Sequence, residues 1–410
     1  MTTTSIIIPS IPGDGIGAEI MTAARRVLGA AVYISYKSNK QIIWKEVLAG
    51  NQALQATGSS LPEDTLQALR EYKVSLKGPL TTPIGGGFRS LNVQLRQELD
   101  LYVCLRHARW FEGLPSPHRN PQGIDITVFR ENTEDIYIGL EYQAGSESNR
   151  RWMDAFKQSH PEDYGRLPSP DECGIGIKPV SKSGSQRLVC AAIQWCLANH
   201  KKRLTLAHKG NIMKYTEGAF RNWGYDLAET NFADQVYTQR QFKAIQKEEG
   251  DDAAGSFKKE TTEQGKLWVD DVIADVVFEQ LITYPQQFEV IATTNLNGDY
   301  LSDAAAALSG GVGISPGANI NFDTGVGVFE ANHGSADDIA GKNLANPSSL
   351  ILSGEMMLRF IGWADAADVL RRALEETIRS KQVTRDLARQ VTRAETLGTQ
   401  EFADAIISNM

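Results

Sequence analysis

Carboxylates and guanidinium groups recur in this chain at positions where an α/β protein gathers its chemistry. Asp299 and Asp303 stand four residues apart, which on a helix puts them on one face. Asp271, Asp275 and Glu279 repeat that spacing shortly before. Oxygen ligands grouped in this way suit a hard cation such as Mg²⁺ or Mn²⁺, and no thiol or imidazole lies nearby to favour zinc. Acids near helix starts also simply stabilise the helix dipole, so spacing alone does not make a metal site. Ser90, Asn92, Arg96, Arg106 and Arg130 fall close to the ends of expected elements. The planar fork of arginine grips a carboxylate through two hydrogen bonds, and a hydroxyl, an amide and free N–H groups at a helix start add donors for an anion. A single arginine of this kind is commonly a surface ion pair. Convergence carries more weight. Arg130 follows the apolar run ITVF, Lys209 follows TLAH, and Asn295 with Asp299 follow VIAT. In α/β sheets, ligands bind in the crevice beyond such strand ends.

The elements that position these residues follow from the alternation of short apolar runs with longer amphipathic stretches. Strands are expected at residues 5–11, 74–76, 124–130, 203–207 and 289–293. Helices are expected at 17–32, at 90–99 with Ser90 as N-cap, at 185–198, and at 216–227 with Thr216 as cap. Two more are expected at 271–282 and from about 299 to 308. The stretch 143–173 is polar with several Pro and Gly and reads as an excursion from the main layers. The stretch 239–265, dense in Lys, Glu, Gln and Asp, reads as a solvated surface insertion. Gly13-Asp14-Gly15-Ile16-Gly17 is not a GxGxxG fingerprint and reads as a tight turn. His107, His118, His200 and His208 lack metal-ligand spacing and are expected to be structural.

With 410 residues the chain is long enough for two or three domains, and 41% hydrophobic against 22% charged residues permits real cores. A net charge of −8 argues against nucleic-acid and anionic-membrane surfaces. No apolar run is long enough to span a bilayer, no signal or transit segment is recognisable, and a cytoplasmic location is expected. Cys104, Cys173, Cys190 and Cys196 form no CxxC pair, and buried reduced thiols are expected.

Five strings make a family resemblance specific: KGPLTTPIGGGFRSLNVQLRQELDLYVCLR, FRENTEDIYIG, HKGNIMKYTEGAF, NLNGDYLSDAAAAL and FEANHGSADDIAG. Together they resemble the prokaryotic isocitrate dehydrogenases of the isocitrate/isopropylmalate dehydrogenase family, over nearly the whole chain. The polar stretch 239–265 is the main departure. The resemblance implies a two-domain α/β fold, with residues 1–101 and 310–410 in a large domain and 102–134 and 182–309 in a small one. Residues 135–181 would form a clasp in a homodimer. It implies that Ser90, Asn92, Arg96, Arg106 and Arg130 bind substrate carboxylates. Asp299 and Asp303 would hold the metal with Asp275 from the partner subunit, and Tyr137 and a partner-donated Lys209 would form the acid–base pair. Lys77 and Thr81 would lie near the nicotinamide, and His333, Gly334 and Asn346 on the adenine side. Ser90 and Asn92 disfavour a homoisocitrate or isopropylmalate dehydrogenase, and retention of the catalytic set disfavours a non-catalytic regulatory subunit. Ser90 is also a place where phosphorylation would repel the substrate.

The NADP-using members carry Lys and Tyr where this chain has Asp338 and Ile339, so the resemblance is to the NAD-using type. An aspartate accepts hydrogen bonds from ribose hydroxyls and repels a 2′-phosphate. Two unit charges about 4 Å apart at an effective dielectric near 20 interact by roughly 4 kcal/mol. Arg385 and Arg389 pull the other way, since they fall near phosphate-contacting positions of the NADP enzymes.

Overall fold

The computed structural model describes residues 4–81 and 90–410, so residues 82–89 of the first motif lie outside the described part. Along the chain, β1 (Thr4–Ile11), β2 (Lys40–Glu46), β3 (Val74–Lys77), β4 (Val103–Arg109) and β5 (Asp125–Glu131) come first. A small antiparallel pair follows, β6 (Glu141–Tyr142) with β7 (Ile175–Gly176). Next are β8 (Arg203–His208), β9 (Val236–Thr238), β10 (Leu267–Ile273) and β11 (Val290–Thr293). The last are β12 (Pro316–Asn321), β13 (Val326–Ala331), β14 (Gln382–Thr384) and β15 (Glu395–Leu397).

One mixed sheet of 11 strands runs through the molecule in the order β2-β1-β3-β13-β12-β4-β5-β11-β8-β10-β9. Its outer ladders are parallel, while β13–β12, β12–β4 and β4–β5 are antiparallel. Both chain ends build the half from β2 to β12, and the middle of the chain builds the half from β4 to β9. Helices cover the faces. Gly17–Tyr36, Ser348–Phe360 and Ala364–Arg379 bury Ile20, Leu28, Leu352 and Leu370 in the largest apolar cluster. Among the described residues no helix is long and apolar enough to cross a membrane.

Several local expectations are corrected or refined. Asp271 lies on β10, where it pairs in register with Leu206 of β8, and the helix starts only at Ala274. The acids Asp271 and Asp275 therefore do not share a helix face. Strand pairing overrode a helical pattern that continues unbroken across the junction. The stretch 239–265 forms two helices, Gln239–Glu249 and Asp251–Glu263, the first begun by a Thr238–Gln241 capping box. Phe242 and Phe257, both half-buried, pack edge-on against Trp268 and Tyr237, so a narrow apolar stripe supports an otherwise polar pair. Thr216 and Ser90 occupy N-cap positions, yet neither side chain makes a capping hydrogen bond. All four cysteines are free, but only Cys104 and Cys196 are buried.

Candidate active site

The site begins with a row of register partners across four strands. Lys77 on β3 neighbours Glu330 on β13, Glu330 neighbours Gly317 on β12, and Gly317 neighbours Arg106 on β4. Residues at one level of adjacent strands project to the same face. Lys77 Nζ lies 2.7 Å from Glu330 Oε2, and Arg96 and Arg106 reach Glu330 Oε1 at 3.2 and 3.8 Å. Asn319 donates to the same oxygen at 2.6 Å. Gly317 makes the row work. A Cβ there would stand 2.9 Å from Arg106 Nη1, so the guanidinium would have to shift from the path it takes to Glu330.

Burial alone would raise the pKa of Glu330, but Lys77, Arg96 and Arg106 more than offset it and hold the carboxyl well below its usual range. Burial pushes Lys77 down, against the pull of Glu330. One buried carboxylate thus anchors three buried cations, leaving a net positive pocket. Among the described residues, three polar atoms there are buried without a hydrogen-bond partner: Asn92 Oδ1, Arg96 Nε and Arg106 Nη1. Unsatisfied buried polar groups are costly in a finished core, and here they sit among the residues expected to receive an anion.

Beside this row, β5 delivers Arg130 and β11 leads into the helix Asn295–Leu308, one turn longer at its start than the sequence implied. Arg130 Nε donates to Asn295 Oδ1 at 2.9 Å and its Nη1 pairs closely with Asp299. Gly298 permits the approach, since a Cβ there would lie 2.5 Å from Arg130 Cγ. Tyr137, on a 3₁₀ turn at Asp135–Ile138, donates its hydroxyl to the other Asp299 oxygen. Burial and that hydrogen bond push the phenol up to about 12, so it stays protonated and able to act as an acid. Burial and the charge of Asp299 raise the pKa of Asp303, against the opposing pull of Arg106 and Arg130. Asp299 and Asp303 are thus two repelling carboxylates on one helix face, a donor set that fits a hard divalent cation.

Lys209 and Asp275 lie apart from these groups. They pair with each other at 2.5 Å just past the ends of β8 and β10, Asp275 in the first turn of the helix Ala274–Thr283. Lys209 lowers the Asp275 pKa chiefly through that hydrogen bond. Beneath them His208 contacts Asp271 at 3.1 Å, and Tyr225 donates to Asp271 at 2.5 Å, which ties the two strand ends together. Among the described residues, no three or more His, Cys, Asp or Glu side chains come together as a metal site. Asp275 therefore does not join Asp299 and Asp303 within one chain.

On the far rim, the opening turn is held by positive φ at Gly13 and Gly15, where a Cβ would collide with the carbonyls of Pro79 and Ser335. Asp14 accepts from the backbone N–H groups of Asn51 and Thr81 at 2.9 Å, and the Thr81 hydroxyl lies 3.1 Å from that of Ser335. The turn thereby joins Thr81 to the loop carrying His333 and Gly334. Burial lowers the His333 pKa, and among the described residues its buried Nε2 has no hydrogen-bond partner. Asn346 donates to Asp386 at 3.0 Å. Asp338 and Ile339 form a 3₁₀ turn with Asp337, and the Asp338 side chain is exposed.

Residues 7–406 match the isocitrate/isopropylmalate dehydrogenase family. The chain belongs to that family. It is 53% identical to an isocitrate dehydrogenase [NADP] of Staphylococcus aureus, covering 98% of this chain and 95% of that protein. An enzyme of the same name from Streptococcus mutans is 46% identical over 98% of this chain and 95% of its own. Among solved structures, an isocitrate dehydrogenase from Methylococcus capsulatus superposes with a TM-score of 0.77 at 35% identity, covering 98% and 99% of the two chains. The curated relatives are named for NADP, and the NAD expected from Asp338 does not agree with those names. Within the family fold, the sequence reading missed Glu330. Its place in the string FEANHGSADDIAG was visible, but only strand register reveals that it faces Lys77 and Arg106.

Proposed function

We propose that this chain catalyses the oxidative decarboxylation of isocitrate to 2-oxoglutarate with NAD, in a homodimer whose two sites share residues. The observation that carries the reading is the row Lys77–Glu330–Gly317–Arg106, flanked by Arg96, Arg130 and Asn92, which forms a preset receptor for a polycarboxylate. Asp299 and Asp303 would hold the divalent cation, Mg²⁺ or Mn²⁺, completed by Asp275 of a second copy. The cation, when bound, supplies Lewis acidity at the substrate's hydroxyl and later carbonyl oxygen. Lys209 takes the hydroxyl proton while hydride leaves for the nicotinamide. Arg96, Arg106 and Arg130 hold the carboxylates so that carbon dioxide is the group released. Tyr137, protonated and half-buried, then delivers a proton to carbon.

The dimer reading rests on incompleteness and on exposed apolar surface. Ile212 and Tyr215 near Lys209, Val276 and Ile282 on the helix with Asp275, and Tyr300 beside Asp299 are all exposed. Apolar side chains gathered around polar groups are the usual surface of an interface. Residues 135–181, with the β6–β7 pair and the helix Glu147–Ser159, would form the clasp between the subunits.

NAD is favoured by the adjacent acids Asp337 and Asp338 and by the absence of a cation at 338 and 339. NADP is the second reading, supported by the names of the relatives and by Arg385 and Arg389, both exposed near Asn346's partner Asp386. Initial rates on the two cofactors separate them. Wild type is expected to show the higher kcat/KM on NAD, and Asp338→Lys to shift the ratio at least tenfold towards NADP. A wild-type enzyme faster on NADP, unmoved by Asp338→Lys, overturns the NAD assignment and leaves the dehydrogenase reading intact.

A further inference from the structure

Glu217 is fully buried, although it opens the helix Glu217–Asn231. Its Oε1 accepts from Thr294 Oγ1 at 2.7 Å and meets Lys178 Nζ at 2.9 Å. Its Oε2 accepts from Asn297 Nδ2 at 2.7 Å and from the backbone N–H of Lys209 at 3.0 Å. Lys178 also pairs with Asp135 at 2.6 Å. Asp135 in turn accepts from Leu296 N at 3.0 Å and Ile136 N at 2.7 Å. It holds φ at 68°, an unusual value for a non-glycine residue, two positions before Tyr137.

These contacts tie three segments to one buried cluster, with Lys178 bridging Glu217 and Asp135. Thr294, Leu296 and Asn297 begin the helix that carries Asp299 and Asp303. Asp135 fixes the turn that carries Tyr137. The third segment is the Lys209 backbone itself. A buried ion cluster with every oxygen occupied has little freedom, so its members move together or not at all.

We propose that Glu217, with Lys178 as its counter-ion, is a positioning residue that serves two active sites at once. It sets the Tyr137–Asp299 face of its own chain's site and the Lys209 that its chain lends to the other. The inference rests on the shared-site dimer reading.

Glu217→Gln keeps the volume but places a donor among four donors. Reactions are sensitive to displacements near 1 Å, so kcat is expected to fall about ten- to a hundredfold. The KM for isocitrate should stay within about twofold, because the arginines are untouched, and the dimer should be retained although its melting point falls with the loss of a buried ion pair. Hybrid dimers of differently tagged subunits then locate the fault. Lys209→Met crossed with Asp299→Asn is the control, since one intact site re-forms if Lys209 is lent. Glu217→Gln should be rescued by neither partner, because it spoils both its own face and its loan. Rescue to the control level by either partner overturns the proposal by confining Glu217 to one half-site. A control cross that stays inactive overturns the shared-site reading itself. Lys178→Met is expected to reproduce the same pattern and serves if Glu217→Gln does not fold.

Discussion

Two lysine–carboxylate ion pairs in this molecule are opposite in construction. Lys77 and Glu330 are 1% and 4% exposed, sit on neighbouring strands in register, and share their charge with Arg96 and Arg106. Lys209 and Asp275 are 31% and 63% exposed and follow strand ends. The buried cluster owes its geometry to desolvation: once dry, each charge needs its partners, and the sheet leaves no other arrangement. The exposed pair gains little from its own contact, so either member can be exchanged for another partner at small cost. On the proposed shared-site reading, a site rigid where it grips an anion and open where it meets a second subunit needs both constructions.

The sharpest way to break this contrast is to separate activity from stability. Lys209→Met is expected to lower kcat by about 10²–10⁴-fold, the usual worth of a general acid–base group. Thermal melting should not move, because the lost pair is a surface one. A large loss of melting temperature would mean that Lys209 holds the fold, and the contrast would disappear.

Glu330→Gln should do the reverse, chiefly damaging stability. Removing the anion leaves three buried cations facing one another, and breaking a buried pair costs about 3–5 kcal/mol. The sign with pH follows from the depressed carboxyl. Its contribution is fully present above the unfolded carboxyl pKa of about 4.3 and is lost as pH falls below it. Urea midpoints of wild type and Glu330→Gln should therefore differ most near neutrality and converge in acid. A gap that stays constant from pH 7 to pH 3.5 would show that Glu330 titrates alike in the folded and unfolded chain and is not held ionised by its cations.

How much of this was legible in the sequence divides along the same line. Arg130, Lys209 and Asp299 were placed at strand ends by local pattern, because the apolar runs before them are short and β-rich. The sheet's order was not readable. Neither was the row from Lys77 to Arg106, since its four members are spread over more than 250 residues and meet only through register. Asp271 was misassigned for a related reason: whether VDDVIADVV is strand or helix is decided by the β8 neighbour and not by its own period. Glu217 carried no local signal at all, as an acid at a helix start usually just favours the dipole. The division of the chain into two domains and a clasp, and the second subunit, came from resemblance alone.

The smallest expected effect tests whether the acid pair on the helix Asn295–Leu308 is itself a construction of the buried kind. Asp303 has a raised pKa, from burial and from Asp299, so its charge opposes folding at neutral pH and that opposition fades as pH falls. Arg106 and Arg130 soften the repulsion without removing it. Asp303→Asn should therefore raise the melting temperature of the metal-free protein by about one to two degrees at pH 7.5, a shift of the size that a small stability change gives in a large chain. The same substitution should remove most of the further rise that Mg²⁺ gives the wild type, because a ligand stabilises only as far as it prefers the folded state. A variant that melts lower than wild type without metal, and still gains fully from Mg²⁺, would place Asp303 among the structural acids and leave Asp299 to hold the cation without it.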